Sequence, residues 1–432
     1  MLLVQASHLR KDGSVFHSRR LPYPGLALPL LAGLAGDGFD IELVSDYYQG
    51  IDYRKGYDLV AITAMTPQAE RAYQIADRFR ALGKKVVIGG FHSSFYPEEA
   101  MGHADAVAVG EAEEIWPRML EDFRGGKLEG VYRAERHPDL SNLPAPRFDL
   151  LKRQGYSLRA TPIQTTRGCP RRCEFCSVHQ FYGGSYRHQP IANVVRDIRA
   201  AGTPFLFFVD DNIAADRPYS LELMKAIAPL NKVWGAQCNL SVAADDEFLR
   251  AAHRAGCHGL FLGVETISQE ALKRANKGFN DVRKYETLLK NIQAHGILPM
   301  VSMIMGLDGD TEASFAGTYE FLMKLKIPVA YFFILTPAPN TVLFERLQRE
   351  HRLLHTNWSH YGGDEVCIVP LDMTGEVLEK GFWELFRRFY SPGSIVKRLF
   401  CPPKFAYTTL MALKYNLLHY RSLRRGVHPL RG

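Results

Sequence analysis

Three of the seven cysteines stand together, in the run Thr165-Thr166-Arg167-Gly168-Cys169-Pro170-Arg171-Arg172-Cys173-Glu174-Phe175-Cys176, at a spacing of C-x3-C-x2-C. Thiolate is the metal-binding form of cysteine, and three thiolates on one short loop can each take one iron of a cubane. Clusters that only carry electrons normally use four cysteines. A set of three leaves the fourth iron open to a small molecule, which is what chemistry at the metal requires. Zinc is the competing reading; it wants a fourth Cys or His, and His179 and His188 are near enough in sequence to offer one. The remaining cysteines, Cys238, Cys257, Cys367 and Cys401, are scattered, which is not a secreted disulfide framework.

The cysteine loop follows a strand candidate at residues 163–166. Further strand candidates lie at 205–209, 233–239, 260–264, 300–305 and 330–335, with helical runs between them at 191–201, 219–230, 245–255, 281–294 and 311–325. Six such units cannot close an eight-unit barrel. Residues 161–340 are therefore expected to form a partial (β/α)6 TIM-type barrel with its site at the strand C-terminal ends. Those ends carry Asp210-Asp211-Asn212, Gly263-Val264-Glu265 and Gly306, while Gln237 and Asn239 on the third strand are placed to face inward. A carboxylate such as Glu265 suits a pair of hydroxyl donors, and a glycine such as Gly306 lets a ligand approach the backbone. The Asp210 run also reads as a helix N-cap.

Ahead of this unit, strand-like runs at 2–6, 58–64, 85–89 and 105–110 alternate with helical runs at 67–82 and 97–101. Alternation of this kind predicts a doubly wound parallel sheet, Rossmann-like, over residues 1–132. Ligands of such sheets sit beyond the strand carboxyl ends. The sequence there is Gly89-Gly90-Phe91-His92-Ser93-Ser94 and Gly110-Glu111-Ala112-Glu113. Residues 133–160, with SNLPAPRFDLL, read as a linker. Residues 341–432 read as a helical C-terminal module with a basic tail.

CPRRCEFC, placed after a first strand and before the strand–helix units, resembles the radical S-adenosylmethionine superfamily over about residues 160–340. The resemblance implies a 4Fe–4S cluster on Cys169, Cys173 and Cys176 whose open iron chelates S-adenosylmethionine. It also implies an aromatic, Phe175, beside the adenine, polar groups such as Asp211 near the cofactor's amino-acid portion, and Glu265 at the ribose hydroxyls. Gln237 and Gly306 complete the expected cofactor contacts. Residues 1–130 resemble the cobalamin-binding domains fused ahead of many radical enzymes, with Gly89, Gly90 and His92 as the expected contacts. The D-x-H-x-x-G signature of other corrinoid proteins is missing; His8 and Asp12 lie at the wrong spacing. Radical enzymes of this group commonly lack it, and cobalamin is expected. The tail faintly resembles the C-terminal module of hopanoid methylases. Methylation of an unactivated carbon in an apolar metabolite, a lipid or a tetrapyrrole, is the expected reaction. Radical oxidation, cyclisation or rearrangement without cobalamin is the enzymatic alternative, and a non-catalytic iron–sulfur or corrinoid carrier is the other. An electron donor such as flavodoxin or ferredoxin is the expected partner.

The 432 residues are 46% hydrophobic and 23% charged, which suits a globular chain of two or three domains. The formal charge of +7 is uneven: residues 385–432 hold ten Lys or Arg and no acid, leaving about −3 for the rest. A basic, amphipathic tail suggests contact with an anionic membrane surface; nucleic acid lacks support from any fold or aromatic pattern. No signal peptide is read at the N-terminus, and a cytoplasmic location is expected.

Overall fold

The computed structural model describes residues 1–18, 24–151, 160–399 and 406–428. Cys401, residues 152–159 of the expected linker and the last residues of the basic tail lie outside the described residues.

The front sheet has six parallel strands: β1 (Leu2–Gln5), β2 (Glu42–Ser45), β3 (Leu59–Thr63), β4 (Lys85–Gly89), β5 (Ala106–Val109) and β6 (Gly130–Arg133), in the order β2-β1-β3-β4-β5-β6. The four central strands are the expected ones. The two edges, β2 and β6, are short and half polar (ELVS, GVYR), so hydrophobic periodicity does not mark them. The helix Ala69–Ala81 covers one face by burying Ala69, Ala72, Tyr73, Ala76 and Phe79, a helical stripe. Helices Ala27–Ala35 and Ile115–Arg124 cover the other.

The second sheet holds β7 (Thr161–Ile163), β10 (Phe205–Phe208), β11 (Val233–Asn239), β12 (Cys257–Glu265), β13 (Leu298–Met305) and β14 (Val329–Ile334). The order is β14-β13-β12-β11-β10-β7, every pairing is parallel, and the chain makes an open, six-stranded partial barrel. Between β7 and β10, a two-residue antiparallel ladder of β8 (Thr166–Arg167) with β9 (Arg187–His188) ties off the cysteine loop. The fold class is the one the alternation of strands and helices implies.

The C-terminal module is only partly helical. Helices Val342–Arg349, Gly375–Phe389, Pro392–Leu399 and Ala406–Leu423 flank an irregular stretch that doubles back onto the front sheet. There Phe344, Trp358, Tyr361 and Cys367 join the same core as Val60, Ile62 and Phe79. Arg398 is buried, and no carboxylate among the described residues pairs with it. Its guanidinium donates to the carbonyls of Ile327, Pro328 and Phe389 and to Asn416 Oδ1 at 2.8 Å, and it lies 3.7 Å over the Phe389 ring. Burial pulls its pKa down to about 10. This knot fixes the last helix against the barrel.

Candidate active site

Two aspartates at the end of β10 build the cysteine loop from below. The carboxylate of fully buried Asp210 accepts from the Thr165 amide at 3.0 Å, from the Thr165 and Thr166 hydroxyls at 2.7 and 2.6 Å, and from the Thr166 amide. Asp211 accepts from the Gly168 amide at 3.1 Å. Burial pushes each carboxyl up to about 6, against the pull of these hydrogen bonds. Gly168 has φ +86°, and a Cβ there would stand 2.0 Å from the Ser185 carbonyl oxygen, so the turn into Cys169 admits only glycine. Asp211, expected beside the cofactor, thus holds the head of the loop.

Cys169, Cys173 and Cys176 are free and half-buried. Burial raises all three thiols, Cys176 to about 12, while Lys277 and Arg171 partly offset it at Cys169 and Cys173. Three desolvated thiols become thiolates only if positive charge is brought to them, which bound iron does. Among the described residues no three Cys, His, Asp or Glu side chains converge on a single ion. Thiols spread along a loop suit separate irons of one cubane, and the donor set fits a cluster. His179 packs against Gly184, and His188 stands 3.3 Å from Asp216.

The far side of the loop is tied to the barrel rim. The Glu174 amide donates to Ala275 O at 3.1 Å, and its carboxylate meets Arg346 at 2.9 Å. Phe175 packs beside Ile304, Leu335 and Leu343. Lys277 Nζ lies 5.8 Å from its ring centre. Glu265 ends β12 with φ 70°, a left-handed conformation unusual for a non-glycine residue. Its carboxylate pairs with Lys277 Nζ at 2.5 Å and accepts from Ser302 Oγ at 3.1 Å. A Cβ on Gly263 would collide with both members of that pair, at 2.5 and 2.6 Å. Coulombic attraction to Glu265 and to the neighbouring thiols outweighs the downward pull of burial and raises the Lys277 pKa. Lys277 and Ser302 were not marked by sequence. Lys277 sits in a loop twelve residues past Glu265, and only the fold brings it back.

A cavity of about 360 Å³ lies between the front sheet and this rim. Phe175, Glu265, Ser302 and Ile304 line it from the barrel; Met65, Thr66, Pro67, Phe91 and Phe95 line it from the ends of β3 and β4. Phe91 stacks on Phe181, five residues past Cys176, at 4.1 Å between ring centres. Expected contacts Gly89, Gly90 and His92 sit behind this wall. Gly90 has φ +108°, and a Cβ there would lie 2.7 Å from Ala64 O, so the neighbouring strand end demands the glycine. His92 is buried, turned toward Tyr73, Tyr96 and Trp358, with Nε2 3.2 Å from Glu99. Gly306 has φ +91° and its absent Cβ makes room for Leu378 on the outer helix. Gln237 lines a different cavity, deeper in the barrel.

The run Gly110-Glu111-Ala112-Glu113 joins the two halves. Buried Glu111 meets Arg167 at 2.6 Å, Arg187 at 2.7 Å and His137 at 2.8 Å, and Glu113 takes the other Arg167 nitrogen at 2.5 Å. Arg167 stands two residues before Cys169, so these acids of the front domain brace the cysteine loop directly.

A three-cysteine loop on the rim of a partial barrel, facing the strand ends of a doubly wound sheet, defines a radical enzyme with an attached corrinoid-type domain. Residues 163–322 match the radical SAM superfamily, residues 15–120 the B12 binding domain, and residues 341–415 a domain of unknown function. The chain is 33% identical over 386 residues to bacteriochlorophyllide d C-12(1)-methyltransferase of Chlorobaculum tepidum, covering 87% of this chain and 84% of that protein. It is 28% identical to hopanoid C-2 methylase of Rhodopseudomonas palustris, over 82% of this chain and 68% of that one. Among solved structures, the radical S-adenosylmethionine methyltransferase TsrM from Kitasatospora setae, with cobalamin and a [4Fe-4S] cluster bound, superposes at TM-score 0.66 and 19% identity over 99% of each chain. The cobalamin-dependent radical enzyme OxsB superposes at TM-score 0.70 and 15% identity, over 98% of this chain and 72% of that one. The protein belongs to the radical S-adenosylmethionine superfamily, in the group that carries an N-terminal B12-binding domain. It is an enzyme, and its cofactors are a 4Fe–4S cluster, S-adenosylmethionine and cobalamin. No helix among the described residues is long and apolar enough to cross a membrane.

Proposed function

We propose that the protein methylates an unactivated carbon of an apolar ring-bearing metabolite, a tetrapyrrole or a polycyclic lipid. The observation that supports this reading is the cavity between the front-sheet loops and the cysteine rim, which is lined from both halves. The relatives named for bacteriochlorophyllide and hopanoid methylation support the substrate class. When bound, the cluster with S-adenosylmethionine supplies a hydrogen-abstracting radical, and cobalamin supplies the methyl group. Cys169, Cys173 and Cys176 hold the cluster. Phe175 offers its face to the adenine. Glu265 accepts from the ribose hydroxyls, held in place by Lys277 and Ser302. Asp211 acts at one remove, through Gly168. Met65, Phe91 and Phe95 close the front side and keep water from the reacting carbon. We assign Gly89, Gly90 and His92 to shaping that wall from behind, Gly306 to seating the outer helix, and Gln237 to the deeper cavity. A small reduced electron carrier of the flavodoxin or ferredoxin kind delivers the electrons.

The test is anaerobic turnover of the reconstituted, cobalamin-loaded protein with candidate tetrapyrroles and hopanoids. Methylated product with both 5′-deoxyadenosine and S-adenosylhomocysteine is expected. Product formed with 5′-deoxyadenosine but no S-adenosylhomocysteine assigns the enzyme to radical oxidation, cyclisation or rearrangement instead.

A further inference from the structure

The barrel contains a second and larger cavity at its other end. It measures about 770 Å³, within the roughly 300–1,000 Å³ typical of small-molecule sites. Its walls come from the strand beginnings: Phe205 and Phe207, Val233, Phe261, Leu298 and Met300. The cysteine loop lies beyond the opposite ends of the same strands.

Barrels of this type normally fill their interior with layers of bulky branched side chains. Here two paired positions of the inner face carry no side chain. Gly235 on β11 and Gly259 on β12 are register partners, side by side on the inner face. Neither has the left-handed φ that would demand glycine. A Cβ on Gly235 would stand 3.3 Å from Gly259 O and 3.5 Å from the Phe207 ring, and one on Gly259 would stand 3.2 Å from the mobile Cε of Met300. Small shifts would admit either. The carbonyl of the paired strand crowds Gly235, but at Gly259 only a flexible methionine end stands close, so the backbone alone does not demand that glycine.

The last helix, Ala406–Leu423, lines the remaining side. Leu410, Lys414, Leu417 and Arg421 recur at steps of four, three and four, so they form one stripe. All four border the cavity, and Leu410 and Leu417 are 64% and 43% exposed. An apolar well thus opens along a helix that alternates leucine with a cation, in a tail that carries ten basic residues and no acid. Gln237, His258 and Tyr331 add the polar groups of the inner wall.

We propose that this cavity binds an acidic amphiphile. Its single apolar chain lies over Gly235 and Gly259 on the inner face, and its carboxylate or phosphate head rests on Lys414 and Arg421. The site is separate from the radical site: the chain fills the space left by the two glycines, and the two cations select the charged head.

The test uses the full-length, cluster-loaded protein and equilibrium dialysis with laurate, lauryl alcohol as the uncharged control, and phosphatidylglycerol vesicles as the membrane source. Saturable binding of one laurate per chain is expected. Gly235→Leu, which fills the well, and Leu417→Glu, which changes only a half-exposed rim position, should each weaken it by about tenfold or more. Lys414→Gln with Arg421→Gln should weaken laurate several-fold and leave lauryl alcohol unchanged. Thermal unfolding checks that each variant is folded. Failure of laurate to bind, laurate affinity unchanged in both Gly235→Leu and Leu417→Glu, or association with vesicles alone, would overturn the proposal. No readout involves turnover, so the methyl-transfer reading stands or falls separately.

Discussion

Glu111→Gln isolates the brace between the front sheet and the cysteine loop. In the wild type the Glu111 carboxylate, almost fully buried, serves Arg167, Arg187 and His137. Removing one partner of a buried ion pair costs about 3–5 kcal/mol, because the charge left behind stays desolvated. Arg167 keeps Glu113, and the Arg187 side chain is 19% exposed, so the lower end applies. A loss of about 3 kcal/mol is roughly a hundredfold in the opening equilibrium of the loop. Hydrogen–deuterium exchange should therefore show amide protection in residues 164–169 and 185–189 falling by about two orders of magnitude, with the barrel core unchanged. The pH dependence has a definite sign. Burial raises the Glu111 pKa, but Arg167 and Arg187 outweigh it and hold the carboxyl below its ordinary 4.5. A depressed folded pKa gives stability that is whole above the unfolded value and lost as pH falls through the folded one. The gap between wild type and Glu111→Gln should stay constant from pH 7 to 5 and close below about 4.5. Equal protection in the two proteins, or a gap that persists into acid, would refute the brace.

Two further perturbations separate binding from folding. Lys277→Met strands the buried Glu265 carboxylate and should cost about 3–5 kcal/mol; adding Glu265→Gln should recover most of that stability but not the affinity for S-adenosylmethionine. Isothermal titration of the double variant checks it, and wild-type affinity there would remove the pair from the cofactor site. His419 is buried between Tyr331 and Tyr390, near His428 and Arg398, and burial lowers its pKa to about 3. The neutral ring means stability is complete above the unfolded value of 6.5 and falls as pH drops toward 3. The free energy of unfolding, measured by denaturant titration, should decline between pH 6.5 and 5 by at most about 1.4 kcal/mol per pH unit, and His419→Phe should flatten that segment.

The architecture was legible because periodicity and spacing are local. Six strand–helix units and a C-x3-C-x2-C loop need only neighbours along the chain to be seen, and the central strands of the front sheet are rich in Leu, Val, Ile and Ala. The edge strands β2 and β6 were hidden because an edge buries little and selects few apolar residues. At the site, Phe175 and Glu265 stand on the cavity wall because each sits at a strand end or in the loop itself. Lys277 was invisible for the opposite reason: nothing in ANKGFND says that its ammonium will fold back onto Glu265. The same applies to Gly235 and Gly259, separated by a whole strand–helix unit and paired only in the sheet.

Glycines and acids at strand ends carry two demands in a two-domain enzyme, and sequence does not say which one a residue meets. Gly90 and Gly306 look like openings for a ligand, yet their missing Cβ atoms make room for Ala64 and Leu378. Glu111 and Glu113 look like ligands for a polar cofactor, yet they grip the arginines beside the cysteine loop. The physical reason is economy of position. The carboxyl ends of both sheets face one another across the cavity, so a residue there can be taken up by packing within its own domain or against another as readily as by a cofactor. Buried charge is a poor way to add stability, since desolvation offsets much of the attraction. It is a good way to enforce one orientation, because a misplaced Arg167 would leave its own charge and that of Glu113 unpaired. An interface meant only to hold would have been apolar. One built on Glu111, Glu113, Arg167 and Arg187 sets the distance between the domain that presents the methyl donor and the loop that carries the cluster.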